Sequence, residues 1–440
     1  MLPRFERAQL DNGLTVLVST RRELPLVYVG LAFAVGGAGD PAGKWGLADL
    51  TYKMLLEGAG GKSTLALDQA FQELGVSPSV SLSPDGAILG VRVLARNAEP
   101  ALALLSDVAR RPTLAPADFE RRKKLQLAEL VRALGSPGFL AQQAYLRTVF
   151  GPQHPYGHPV SGLPQTVEAV TARDVKAFYE ANVGPRTTAL VMTGDVTLEQ
   201  AVALAKKALG DWKGKASLPA APPKPPVAER TQVVFVPKPG LDQTVVLLGR
   251  PGVASGDADE SALDLATTVF GGFFGSRLNM NLREDKGYSY GANASSDVRL
   301  GVGPLTASSS VRADVTGPAL REFMAELEGL QTRPISEQEL ESAREGLVRA
   351  FPGGFESVEG LGYSASALFL TRRPLDEFER TVEGLRKATP ADVQRAAEAY
   401  LAPGSMQVVL VGDPDVVKKQ VEGLGLGQWT VAEPAKAPGR

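Results

Sequence analysis

The chain of 440 residues contains no cysteine. That removes disulfides, thiolate metal sites and cysteine nucleophiles at once. Histidine is almost as scarce, with only His154 and His158 present, so a Ser-His-Asp triad has few ways to form. No apolar run reaches the length needed to span a bilayer. The run Val27–Val35 follows Arg21-Arg22 and superficially resembles the core of a signal peptide. It lies late in the chain, behind the turn Asp11-Asn12-Gly13 and the apolar stretch Leu14–Val18, and reads as a strand. The expected compartment is the cytoplasm as the chain is written, or the periplasm if a signal peptide has been removed. An excess of either charge is missing too. With 47 basic and 49 acidic side chains, the net charge is -2. Nucleic acid is therefore not an expected partner, because phosphate binding needs concentrated positive charge. The cluster Arg121-Arg122-Lys123-Lys124 falls in a helical pattern and reads as a solvated face.

What is present is a duplication. Thr171-Ala-Arg-Asp174-Val175 recurs as Thr389-Pro-Ala-Asp392-Val393, and Gly194-Asp195 recurs as Gly412-Asp413, both 218 residues on. Leu209-Gly210-Asp-Trp212 recurs as Leu426-Gly427-Gln-Trp429, and Leu130–Leu134 as Leu347–Phe351, both 217 residues on. Four ordered matches at nearly one offset define two similar halves. Each Thr-x-x-Asp reads as a helix start, with threonine capping the free amides and aspartate favouring the positive helix end. An apolar strand ending in Gly-Asp follows, and then another helix.

The halves are assigned to 1–212 and 231–432. A linker at 213–230 contains Pro219, Pro222, Pro223, Pro225 and Pro226 and reads as semi-rigid and extended. Residues 433–440 read as a tail. In the first half, strands are expected at Leu14–Val18, Leu26–Val35 and Ala87–Leu94. Helices are expected at Leu47–Leu56, Ala66–Leu74, Ala98–Arg110 and Ala117–Leu134. The second half opens with strands at Gln232–Val236 and Gln243–Gly249 and a helix at Glu260–Val269. Adjacent strands that read as antiparallel, mixed with helices in both halves, place the chain in the α+β class: two α/β-layered halves with a mixed or antiparallel sheet.

Three segments bear on chemistry. His154 and His158 have the i, i+4 spacing of a metal pair, but Pro152, Pro155, Gly157 and Pro159 make a helix there improbable. They read as turn residues packed or bonded to backbone. Phe270-Gly271-Gly272-Phe273-Phe274-Gly275-Ser276 is not a nucleotide loop, since no Gly-Lys-Ser/Thr follows. Its glycines allow close approach of another chain, so Gly271, Gly272, Gly275 and Ser276 are candidate substrate-binding positions. Third, Gly46-Leu-Ala48-Asp49-Leu-Thr-Tyr52-Lys53-Met54-Leu55-Leu-Glu-Gly58 reads as an amphipathic helix ending in glycine.

This third segment resembles the zinc-binding helix of the pitrilysin-type (M16) metallopeptidases, whose pattern is Gly-x-Ala-His-x-x-Glu-His-Met-x-Phe-x-Gly. The frame matches at Gly46, Ala48, Met54, Leu55 and Gly58. The resemblance places Asp49 where the first histidine ligand stands, Tyr52 at the glutamate base and Lys53 at the second histidine. Glu129 lies near the spacing of the third, glutamate ligand. One carboxylate beside a lysine will not hold zinc, so no metal is expected in this chain. Leu10–Leu14, His154–Gly157 and the duplicated Gly-Asp strands extend the resemblance over nearly the whole chain, and it implies halves that form a clamshell.

The resemblance also implies that Arg283 and Tyr290, seven apart, are a substrate-holding pair, although one extra residue precedes Gly287. Tyr288 competes for that role with a poorer spacing. A guanidinium and a phenol can donate to a peptide carbonyl and to the oxyanion that forms from it. Some members of the family are two-chain enzymes in which one chain carries the zinc helix and the other the Arg/Tyr pair. The resemblance thus implies a non-catalytic, substrate-binding subunit with a homologous zinc-bearing partner and a peptide substrate, expected to bind by strand addition at a sheet edge. The alternative is a structural or binding protein without peptidase activity, like the family-related core subunits of respiratory complexes.

Overall fold

The computed structural model describes residues 2–432; the tail expected at 433–440 lies outside the described residues. The first sheet contains β1 (Glu6–Gln9), β2 (Thr15–Thr20), β3 (Leu26–Phe33), β4 (Ser79–Leu82), β5 (Ala87–Leu94) and β6 (Thr188–Gly194). The second contains β7 (Gln232–Pro237), β8 (Gln243–Pro251), β9 (Ser289–Ser296), β10 (Pro304–Arg312), β11 (Gln407–Gly412) and β12 (Gln428–Val431). Their orders are β1-β2-β6-β3-β5-β4 and β12-β7-β11-β8-β10-β9.

The duplication is visible in this topology. β2-β6-β3-β5-β4 corresponds strand for strand to β7-β11-β8-β10-β9, with one parallel pair (β2·β6, β7·β11) followed by antiparallel ones. The copies differ at the outermost strand. β1 closes an antiparallel hairpin on β2, whereas β12 joins β7 in parallel. The hairpin turns at Asn12, whose Oδ1 accepts from the Leu14 N–H at 3.1 Å, and at Gly13, whose φ of 91° suits glycine. The sheets are mixed and the helices many, as the α+β reading requires.

Local chemistry sets the helix starts. Thr171 Oγ1 accepts from the Asp174 N–H at 3.3 Å while Asp174 Oδ2 accepts from the Thr171 N–H at 2.9 Å. Thr389 and Asp392 repeat the reciprocal pair at 3.2 and 3.0 Å.

The chain forms two compact units that do not coincide with the two halves. Unit 1 comprises Met1–Leu130, Val160–Ala221 and Ala350–Glu379; unit 2 comprises Val131–Pro159, Pro222–Arg349 and Arg380–Arg440. Each half thus gives one segment to the unit built mainly from the other. In unit 1 the helix Val358–Leu370 lies on β3, β6 and β2. There Tyr28 fits only because Gly30, Gly90 and Gly362 lack side chains: a Cβ on any of them would come within 2.6 Å of its ring or hydroxyl. In unit 2 the helix Pro137–Phe150 lies on β11, β8 and β7, and the Tyr145 hydroxyl donates to the Leu305 carbonyl. Residues 213–228 carry no helix or strand. No helix among the described residues is long and apolar enough to cross a membrane.

His154 and His158 sit in a turn of unit 2, both buried. His154 Nδ1 accepts from the Tyr156 N–H at 3.0 Å, so its Nε2 carries the proton donated to the Pro223 carbonyl at 2.9 Å. His158 Nδ1 lies 3.2 Å from the Pro159 carbonyl. Burial lowers the His158 imidazole to about 4 from the usual 6.5; the Pro159 carbonyl opposes the shift and nearby His154 adds to it. A depressed histidine contributes stability that is complete above pH 6.5 and is lost as pH falls through 6.5 towards 4. His158→Asn removes this dependence. Urea unfolding at the two ends of this window should show the wild type losing roughly 3 kcal/mol more than the variant over the interval. Equal losses would show that His158 does not titrate there.

Candidate functional site

In unit 1 the helix α1 (Leu47–Met54) starts at Gly46, whose φ of 94° rules out most side chains and which offers no capping group. Asp40 caps it instead: its carboxylate accepts from the Gly46 N–H at 2.6 Å and the Ala48 N–H at 2.7 Å. Burial nevertheless pushes the Asp40 carboxyl up to about 8, the amides pulling the other way. Gln126, 1% exposed, donates to the Gly46 and Ser161 carbonyls at 3.2 and 3.0 Å and fixes the helix Pro116–Ala133 against this start.

That packing brings Asp49, Lys53 and Glu129 together. Lys53 Nζ is 2.8 Å from Asp49 Oδ2 and 3.6 Å from Glu129 Oε2. Asp49 is 7% exposed; burial raises its pKa, Lys53 opposes the rise and Glu129 reinforces it. Tyr52 points away from this group. It is fully buried, its hydroxyl donates to the Val35 carbonyl at 2.6 Å, and its ring meets Phe33 and Phe178 at 5.3 and 6.3 Å. These residues do not fit zinc. The ammonium lies between the two carboxylates, where a cation would sit, and it cannot act as a ligand while protonated. Tyr52 offers no base. Among the described residues, no three His, Cys, Asp or Glu side chains are grouped to hold a metal.

In unit 2 the glycine-rich stretch begins inside one π-helical turn, Thr268–Gly272, and a second, Met280–Asp285, follows it. Wider turns of this kind recur at functional sites. Gly271 is buried against β9: a Cβ there would come within 2.8 Å of the Ala294 Cβ and 3.0 Å of its backbone nitrogen. Gly272 and Gly275 are exposed, whereas Ser276 is 1% exposed and its Oγ accepts from Asn279 Nδ2 at 3.1 Å. Ser276 therefore faces the interior.

Sequence reasoning missed Asn279. It is 6% exposed, and its amide also donates to the Phe273 and Ala292 carbonyls at 3.0 and 2.8 Å while accepting from the Ala292 N–H at 2.8 Å. It thereby ties the loop to β9 and occupies both outward backbone groups of Ala292. An extended peptide cannot pair with β9 at that residue. In unit 1, by contrast, the edge strand β4 pairs only with β5 among the described residues. Asn279→Ala should cost about 2–4 kcal/mol in chemical denaturation, because it leaves the Ala292 amide and several carbonyls without partners. A loss under about 0.5 kcal/mol, within the range of ordinary surface substitutions, would show that the clamp is dispensable.

Arg283 lies on the second π-turn. Its guanidinium is 4.7 Å from the Phe274 ring centroid, and its Nε is 3.3 Å from Glu284 Oε1. Tyr290 is 90% exposed. It owes this position to a bulge: Ser309 pairs with Ala292 and Val311 with Ser289, so Tyr290 and Gly291 together oppose Ser310. Bulges of this kind re-aim side chains. Tyr288 packs against the core of the second sheet. Tyr290 is thus the exposed tyrosine of the two, and Tyr288 is half-buried.

A family model described as "Insulinase (Peptidase family M16)" matches residues 15–145, and one described as "Peptidase M16 inactive domain" matches 169–347; together they cover more than two thirds of the chain. An uncharacterized zinc protease of Mycobacterium tuberculosis is 24% identical over 402 residues, 90% of each chain. The crystal structure of a peptidase M16 inactive domain from Pseudomonas fluorescens superposes with a TM-score of 0.85 at 26% identity, covering 93% of this chain and 98% of that one. A protease from Helicobacter pylori shares the fold, with a TM-score of 0.87 at 20% identity over 93% of this chain and 100% of that one.

Proposed function

This chain belongs to the M16 peptidase family, and we propose that it serves there as a non-catalytic, substrate-binding subunit paired with a homologous zinc-bearing chain. The observation that carries the proposal is the contrast between two sites. On α1, Lys53 fills the space between Asp49 and Glu129 and Tyr52 is turned into the core. In unit 2, Arg283 and Tyr290 remain exposed. The zinc motif is read as lost and the substrate-holding pair as kept.

In this reading the partner's zinc supplies the hydrolytic chemistry. Arg283 and Tyr290 donate hydrogen bonds to the substrate carbonyl and to the charge that develops on its oxygen. The exposed Gly272 and Gly275 let the peptide backbone approach closely.

One observation favours a second reading, a core protein without peptidase activity: Arg283 is already engaged by Phe274 and Glu284. Mixing experiments separate the two. The purified chain alone should leave an unstructured fluorogenic peptide intact with or without added zinc. A zinc-bearing homologue from the same organism should cleave it only when this chain is present. Cleavage by this chain alone, or a homologue whose rate ignores it, would overturn the proposal.

A further inference from the structure

Unit 1 holds a groove that no residue of α1 lines. The groove, of about 1380 Å³, is bounded by the start of β1, the end of β2 and the segment 352–379. Its apolar floor includes Phe5, Phe355, Leu361 and Leu375. Phe378 braces it, with ring centroids 5.7 Å from Phe5 and 5.0 Å from Phe355.

The charges lining the groove are unequal. Five carboxylates stand there against two guanidinium groups. Arg21 is already consumed: it pairs with Glu23 at 2.5 Å and donates to the Phe355 and Glu356 carbonyls at 2.8 and 3.1 Å. Glu6, Glu356 and Glu379 are exposed, and among the described residues their side chains have no ion pair or hydrogen bond. Among the described lining residues, Arg4 is the other cation. The void exceeds the few hundred to about 1,000 Å³ of a typical small-molecule pocket. Its apolar floor does not suit a hydrated metal ion.

We propose that this groove is a docking site for an extended, cationic peptide segment, whose apolar side chains lie on the phenylalanine floor while its lysines or arginines meet Glu6, Glu356 and Glu379. Aromatic faces add to the attraction for such cations. The site is separate from the Arg283/Tyr290 pair, and its existence does not depend on the role assigned to that pair.

The test uses the full chain and a fluorescein-labelled peptide of about eight residues, roughly 26 Å when extended, in which lysine alternates with leucine and glycine. Anisotropy should report saturable binding that weakens steeply with salt. Glu356→Lys/Glu379→Lys should weaken it at least about tenfold, corresponding to about 1.4 kcal/mol. Both positions are exposed, so folding should be unaffected, which circular dichroism checks. A control with the same charge change on exposed residues elsewhere, Glu120→Lys/Glu328→Lys, should bind like the wild type. Equal binding to both variants, equal binding of a peptide with glutamate in place of lysine, or no binding at all would overturn the proposal.

Discussion

Arg283→Ala is expected to lower the peptidase rate of the reconstituted two-chain mixture by about 10²–10³-fold, the usual cost of removing one donor to a developing oxyanion. The loss should appear mainly in kcat, because the interaction is strongest where charge develops. Tyr290→Phe removes a donor without removing the ring and should fall in the same direction. Tyr288→Phe should change little, since Tyr288 packs against the core of the second sheet and Tyr290 is 90% exposed. Arg283 also has an internal competitor in Glu284, 3.3 Å away. Glu284→Gln should release the guanidinium and lower KM. An unchanged rate for Arg283→Ala, with subunit association verified by gel filtration, would assign the arginine to packing on Phe274 instead.

Lys53→Met is expected to destabilise the protein by about 2 kcal/mol, read as a fall in the urea midpoint. Removing the ammonium leaves Asp49, 7% exposed, beside Glu129 with Arg122 as a weaker counter-charge. Breaking a fully buried pair costs about 3–5 kcal/mol. The estimate is lower here because the Lys53 side chain is 27% exposed. Asp49→Leu/Lys53→Met should regain most of the loss, since apolar replacement of both partners is often neutral. Recovery in the double variant is what distinguishes an unpaired charge from a simple packing defect. Should the single variant be as stable as the wild type, Lys53 contributes nothing as an internal cation.

Features fixed by neighbours in sequence were legible. The two Thr-x-x-Asp capping pairs, the turn at Asn12-Gly13, the span of β5 and the strand core of β3 follow from local hydrogen-bonding chemistry and period. So did the position of α1, because its apolar stripe ends at a glycine. Features that depend on which surfaces meet were not. The apolar faces of 137–150 and 358–370 show that each needs cover; they do not show which sheet supplies it. Asn279 reads as an ordinary polar helix residue until β9 is placed beside it. Asp40 caps a helix whose first residue lies seven positions later, beyond the reach of a local motif. At the candidate site the residue identities on α1 were readable against the family pattern. The pairing of Lys53 with both carboxylates was not, because Glu129 comes from a different helix.

The exchanged helices bear on how such a chain can be divided. A gene cut within 213–230 would yield two products, each with a sheet face made for a helix encoded by the other: Val358–Leu370 for the first, Pro137–Phe150 for the second. Neither product should be soluble alone. Co-expressed, they should complement each other as fragments. A duplication that began as two repeats has become a single indivisible unit of inheritance.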